Sequence, residues 1–384
     1  MAKPVRMQIP CSLLRGGTSK GVYFLEQDLP PAGPFRDEVV LALFGSPDIR
    51  QIDGLGGADS LTSKAAIIGP SEVADVDFLY GMVSIDAPRV FWRGNCGNIT
   101  SGVGPFAIYK GLVKPVEPVT KVRIYSRNTK TIVVAEVPVE DGLPLEYGDY
   151  RIDGVPGTGA KISLDFSLAA GSTLGKLLPT GNVRDRIHVD GIGELEYSLV
   201  DIANPEIFIR AEAVGLRGTE TPAEIDSDPE LLDRLERIRG TVAAACGLAS
   251  SPEHAVRESA NIPHLVLVSE PVTHRTFQNQ TIEADMCDFV SRVMFMQRLH
   301  KAYPGTGSIC SAVAAMIPGT VAHEVRRKTP IREGEICIAH PSGLIMIEVR
   351  VGRNGNEFVA ERAVIGRTAR LLMDGVAHVL VRPQ

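Results

Sequence analysis

The sequence lacks several common functional signatures. Its six cysteines (Cys11, Cys96, Cys246, Cys287, Cys310 and Cys337) are scattered and form no C-x-x-C pair, which argues against a zinc ribbon or a dithiol redox centre. Its eight histidines show no H-x-x-x-H spacing, so no metal centre on a single helix is expected. There is no long basic run and the formal net charge is −6, so nucleic acid is not an expected partner. No apolar stretch reaches the length of a membrane span, so no membrane association is expected. The N-terminus runs into a strand-like segment without the apolar core of a signal peptide, and the cytoplasm is the simplest compartment. The oligomeric state stays open, and a homo-oligomer is compatible with these features.

What is present is an ordinary globular composition, 44% hydrophobic and 22% charged over 384 residues. That length exceeds one ordinary core, so two domains are expected. The turn-rich residues 179–182 (Pro-Thr-Gly-Asn) mark a boundary, giving domains 1–184 and 185–384, with the last strand free to return to the first. Strand-like and helix-like segments alternate in both halves, an α/β (α+β) pattern.

The chain is organised around residues 94–100, Gly-Asn-Cys-Gly-Asn-Ile-Thr. A strand-like run ends there and an apolar helical segment, residues 99–113, follows. Cys96 therefore sits at a helix start, where backbone N–H groups lack partners and the dipole favours negative charge. Asn98 suits a helix cap. Asn95 and Gly97 permit close approach of a ligand to the backbone. A buried structural cysteine would fit the same position.

Upstream, residues 15–21 (Arg-Gly-Gly-Thr-Ser-Lys-Gly) join two strand-like segments. Arg15, Gly17, Thr18, Ser19 and Lys20 suit a carboxylate or phosphate; a polar hairpin turn accounts for them equally well. Lys64 follows a glycine-rich loop and begins an apolar strand. It would serve as a general base if buried. Downstream, residues 303–308 (Tyr-Pro-Gly-Thr-Gly-Ser) open a second apolar helix, with Thr306, Gly307 and Ser308 as donors for an anion. If the halves pack face to face, both helix starts would point at one cleft suited to a small anion. Residues 228–246 read as an amphipathic helix. Residues 285–301 also read as a helix, with Met286, Phe289, Val293, Met296 and Leu299 at helical spacing.

These motifs resemble a known family. R-G-G-T-S-K-G (15–21), the run G-S-P-D-x-R-Q-I-D-G-x-G-G-A-D-x-L-T-S-K (45–64), G-N-C-G-N-I (94–99), V-G-P-F-A-I (103–108) and I-D-G-V-P-G-T (152–158) are similar to the cofactor-free isomerases of unsaturated di- and tricarboxylic acids. That family spans methylitaconate Δ-isomerases, 2-methylaconitate isomerases and 4-oxalomesaconate tautomerases, and the likeness runs through nearly the whole chain. It implies a diaminopimelate-epimerase-like fold: two pseudo-symmetric domains, each a curved sheet wrapped around a central helix.

The resemblance further implies a 1,3-proton shift that moves a C=C bond, most like that of 3-methylitaconate Δ-isomerase, with the other two member chemistries as alternatives. It implies Lys64 as acid/base with Cys96 nearby, and no cofactor or metal. The substrate, a small polycarboxylate, would be held by Arg15, Gly17, Thr18, Ser19, Lys20, Asn95, Gly97, Asn98, Thr306, Gly307 and Ser308, with Arg292 as a further candidate. The epimerases carry a second catalytic cysteine in the second turn. Here Pro304 takes that place, and Cys310 lies a turn further in. This speaks against an amino-acid racemase, and Lys64 with Cys96 speaks against a non-catalytic carboxylate-binding protein.

Overall fold

The computed structural model describes residues 4–381. The chain forms two compact units. The first runs to Arg151 and adds Gly157–Leu164 and the chain from Arg367 onward; the second comprises Ile152–Pro156 and Asp165–Gly366. The boundary expected at 184/185 therefore falls inside the second unit. The physical reason is hydrogen bonding of residues 165–174. Phe166 N donates to Ala363 O, Gly171 N to Asp201 O, and the Thr173 and Leu174 amides to the Asp201 carboxylate. The 179–182 turn is a surface feature within that unit.

In the first unit, strands Val5–Gly16 and Ser19–Leu25 form a hairpin. Ser19–Leu25 then pairs in parallel with Lys64–Pro70, which pairs antiparallel with Val76–Val83. Val76–Val83 pairs in parallel with Val119–Ser126, and that strand antiparallel with Thr131–Glu140. The C-terminal strand Ala369–Val381 runs antiparallel along the whole of Val5–Gly16. The helix Pro34–Phe44 buries Val39, Val40, Leu43 and Phe44 against one sheet face. The helix Gly97–Tyr109 is buried along nearly its entire length and packs against strands of the first unit. A helix buried on every side has no solvent face to present, so it becomes the centre about which strands pack.

The second unit repeats this order of pairings. Gly193–Ile202 and Asn204–Arg210 form the hairpin, Asn204–Arg210 pairs in parallel with His264–Ser269, and that strand antiparallel with Phe289–Phe295. Phe289–Phe295 then pairs in parallel with Glu335–His340, which pairs antiparallel with Gly343–Asn354. The amphipathic helix Pro229–Ala245 buries Leu231, Leu235, Ile238 and Val242. The helix Gly305–Met316 is the buried central one.

One expected helix is not a helix. Residues 285–301 fold as strand Phe289–Phe295 and strand Arg298–Leu299, joined at Met296 and Gln297. Both turn residues have positive φ, 51° and 57°, as a two-residue primed hairpin turn requires. With no glycine or asparagine there, the turn left no trace in the sequence. Every residue of Phe289–Phe295 is buried, so period-2 alternation was absent as well. Among the described residues, no helix is long and apolar enough to cross a membrane.

Candidate active site

In the first unit, Gly17 and Thr18 form the two-residue turn of the hairpin, with Arg15 opposite Lys20 and Gly16 opposite Ser19. This turn lies flat on the first turn of the Gly97–Tyr109 helix. A methyl group on Gly17 would stand 2.1 Å from Asn98 Oδ1, and Gly17 has φ +50°. Only glycine meets both demands.

Cys96 is itself the N-cap residue of this helix, and its thiol makes no capping hydrogen bond. The cap expected of Asn98 is thus not made. Asn98 lies inside the first turn and reaches sideways: its Nδ2 donates to Thr18 Oγ1 at 2.9 Å, and its Oδ1 accepts from Arg367 Nε at 2.9 Å. Asn95 orders the turn instead, its Oδ1 accepting from Cys96 N at 2.7 Å and from Thr100 Oγ1 at 3.1 Å.

Lys64, first residue of its strand, is 2% exposed. Its Nζ donates to Ser19 Oγ at 2.9 Å and to Cys96 Sγ at 3.4 Å. The sequence-derived candidates Ser19, Lys64 and Cys96 thus meet in one buried contact, with Thr18 and Asn98 joined beside it. Arg15 NH1 donates to Gly17 O and Thr368 O, both at 2.9 Å, and burial pulls its pKa below the ordinary arginine value. Lys20 is half-buried, and its backbone N–H donates to Leu61 O.

Two buried residues near this contact escaped the sequence reading. Arg367 is held at Asn98, and burial pushes its pKa down to about 10. Tyr23 OH donates to Ile99 O at 2.6 Å, and burial drives the phenol well above its ordinary pKa. Arg367 ends the strand Glu357–Arg367, one residue before the break at Thr368; its distance in sequence from the motifs hid it.

In the second unit, Thr306, Gly307 and Ser308 form the first turn of the Gly305–Met316 helix, whose N-cap Pro304 makes no side-chain capping bond. Asn204 Nδ2 donates to Thr306 Oγ1 at 2.9 Å, and Ser308 Oγ to Gly305 O at 2.8 Å. Cys310 is not a second reactive thiol at this turn. It is fully buried, its Sγ donates to Val200 O, and burial raises its pKa well above the ordinary value.

Arg292 is not brought to this turn by any hydrogen bond described. Its Nε donates to Glu220 O at 2.6 Å and its NH1 to Ser291 O at 2.9 Å, and burial pushes its pKa down to about 10. Its guanidinium ties the strand to the Glu220 loop.

What the sequence reading missed here is a buried acid–base pair. Glu206 accepts from His264 Nδ1 at 2.9 Å and from Ser311 Oγ at 2.8 Å. Ser311 and Ser291 both bond the Tyr303 hydroxyl. Glu206 follows Asn204-Pro205, which reads as a turn, and nothing else in the apolar run announces it. Among the described residues, no group of three or more His, Cys, Asp or Glu stands ready for a metal ion.

A central helix enclosed by a mixed sheet, occurring twice in one chain, defines the diaminopimelate-epimerase-like class of folds. Within that class the chain belongs to the PrpF protein family, whose model matches residues 6–380. It is 47% identical to a 3-methylitaconate isomerase of Eubacterium barkeri, over 97% of this chain and 98% of that protein. It is 38% identical to a 2-methyl-aconitate isomerase of Shewanella oneidensis, covering 98% of both. It is 41% identical to a 4-oxalomesaconate tautomerase of Pseudomonas putida, over 97% of this chain and 96% of that one.

Among solved structures, a methylitaconate-delta-isomerase matches with a TM-score of 0.79 at 47% identity, covering 97% and 96% of the two chains. A hydroxyproline epimerase from Agrobacterium vitis matches with a TM-score of 0.58 at 12% identity, covering 97% and 92%, which is a likeness of fold alone.

Proposed function

We propose that this protein is a cofactor-independent isomerase that moves a carbon–carbon double bond in a small unsaturated di- or tricarboxylic acid, with an acid of the 3-methylitaconate type as substrate. The observation that carries the proposal is the contact of Lys64 Nζ with Cys96 Sγ, 3.4 Å apart and both buried, at a helix start. An amine and a thiol in contact offer one group that takes a proton and one that gives it, whichever of the two holds it at rest.

In the proposed reaction, Lys64 Nζ takes the proton from the carbon that is both allylic and next to a carboxylate. The C–H electron pair forms the new C=C bond, the old double bond's pair moves to its far carbon, and that carbon takes a proton. Both transfers lie along one edge of a short planar system, so one amine serves both, with Cys96 as donor beside it. The intermediate carries extra negative charge on a polyanion. Donors fixed before the reaction lower its cost by several kcal/mol. The backbone amides of Gly97 and Asn98, with Arg15, Lys20, Thr18 and Ser19, supply them in the first unit. Thr306, Gly307 and Ser308 give the second unit a carboxylate-binding turn of its own. Because the chain is acidic overall, such local donors replace any long-range attraction.

The relatives' names support the 3-methylitaconate chemistry and also point to 2-methylaconitate and 4-oxalomesaconate as alternatives. Proton NMR of the purified protein in D₂O with all three acids separates them. Double-bond migration with deuterium entering one acid identifies the substrate class. Folded protein that converts none of the three overturns the proposal.

A further inference from the structure

The order of strand pairings is the same in both units, so positions can be matched by register. Lys64 opens the strand that lies parallel to Ser19–Leu25, opposite Gly21. His264 opens the strand that lies parallel to Asn204–Arg210, opposite Glu206. Where the first unit places an amine beside a helix start, the second places an imidazole and a carboxylate. Both are buried, 2% exposed for the His264 side chain and 0% for that of Glu206.

They touch the helix start directly. A methyl group on Gly307 would fall 2.5 Å from Glu206 Oε1 and 3.5 Å from His264 Nδ1. Asn204, on the same face of the strand as Glu206, bonds Thr306. His264 Nε2 is buried without a hydrogen-bond partner, and its ring meets the Phe295 ring edge-on at 5.6 Å. The imidazole can therefore gain or lose a proton at Nε2 without breaking a bond to the scaffold.

We propose that the Glu206–His264 pair is a positioning element of the carboxylate-binding turn formed by residues 306–308, and that it takes up a proton when an acid binds there. With protons on both ring nitrogens, one of them bonded to Glu206, the pair is neutral. With Nε2 bare it carries a net negative charge directly under the turn and opposes an anion. A bound carboxylate raises the pair's affinity for that proton, and by linkage the proton raises affinity for the carboxylate. Burial already raises the Glu206 carboxyl above its ordinary range, with His264 and Ser311 working against that. The other titratable groups on the elements packed around the pair are Tyr303 and Cys310, both driven well above their ordinary values by burial. Asp201 on the adjoining strand is pushed up to about 6 by burial. Beyond these stand Arg292 on the strand paired with that of His264, and His323 and Glu324 on the short helix Val321–Val325, with Glu324 bonded by Arg184 and Arg210.

The inference rests on the reading that this helix start holds a substrate carboxylate. Its test is calorimetric titration of the full protein with methylsuccinate, a saturated diacid that cannot isomerise. Titrations from pH 6.5 to 8.5 in two buffers of different ionisation enthalpy count the protons taken up. The wild type is expected to take up a fraction of a proton that grows with pH, with affinity falling by up to about tenfold per pH unit. Glu206→Gln is expected to lose that uptake and flatten the affinity profile, while Lys64→Met keeps it. Should Glu206→Gln fail to fold, His264→Gln carries the same expectation. Uptake that persists in these variants, or that disappears in Lys64→Met, overturns the inference alone. Folded wild-type protein that does not bind the diacid overturns the reading beneath it as well.

Discussion

Two helix starts in this chain share a topology and differ in chemistry. At the first, the N-cap is Cys96 and the strand beside it opens with Lys64, whose Nζ reaches both Cys96 and Ser19. At the second, the N-cap is Pro304 and the matching strand opens with His264, bonded to Glu206. Both helices are buried, and neither N-cap residue makes a side-chain capping bond. On the proposed account a shared backbone geometry gives each unit a place for an anion. Only the first adds a thiol within reach of an amine. On this account proton transfer belongs to the first helix start, and the second contributes binding whose strength follows the protonation of its buried pair.

Four substitutions would break or sharpen that contrast. Lys64→Met removes the proposed proton carrier at nearly constant volume, and kcat is expected to fall by about 10³-fold or more, a barrier increase of roughly 4 kcal/mol. A spectrophotometric assay of the conjugated product reads it. Cys96→Ser puts a hydroxyl at the N-cap in place of the thiol, and an intermediate loss in kcat of about 10²-fold is expected in the same assay.

Gly17→Ala drives a methyl into Asn98 and demands positive φ of alanine. It is expected to raise KM by about tenfold, and to cost about 1–3 kcal/mol of stability by urea denaturation. Cys310→Ala, at the second helix, should leave kcat within about twofold of wild type. It removes a buried thiol whose described bonds run to backbone groups and is expected to cost about 1–2 kcal/mol of stability through lost packing. A large loss of kcat in Cys310→Ala would erase the contrast between the two starts.

The first helix start was largely legible in the sequence because its signals are local. A strand-like run, a glycine-flanked Asn-Cys-Gly-Asn turn and an apolar segment follow one another within about twenty residues. The hairpin turn at Gly17 and Thr18 carried its own signal in adjacent glycines and hydroxyls. The second start was legible only in part. Gly-Thr-Gly-Ser announced the turn, but Glu206 and His264 come from two strands 58 residues apart, and a single acid in an apolar run has no period to betray it. Arg367 likewise reaches Asn98 across 269 residues. The misreading of 285–301 has the opposite origin: its apolar residues happen to fall at helical spacing, while the turn at Met296 and Gln297 uses residues that carry no turn signature.

The most direct test of the account compares solvent deuterium entry in two variants, Lys64→Met and Glu206→Gln, by proton NMR in D₂O with the acid that the wild type converts. The account predicts that Lys64→Met still binds the acid yet exchanges none of its allylic protons over hours, while Glu206→Gln exchanges them with an altered dependence on pH and concentration. Exchange in Lys64→Met at the wild-type rate would contradict it, and would move the proton transfer away from the first helix start.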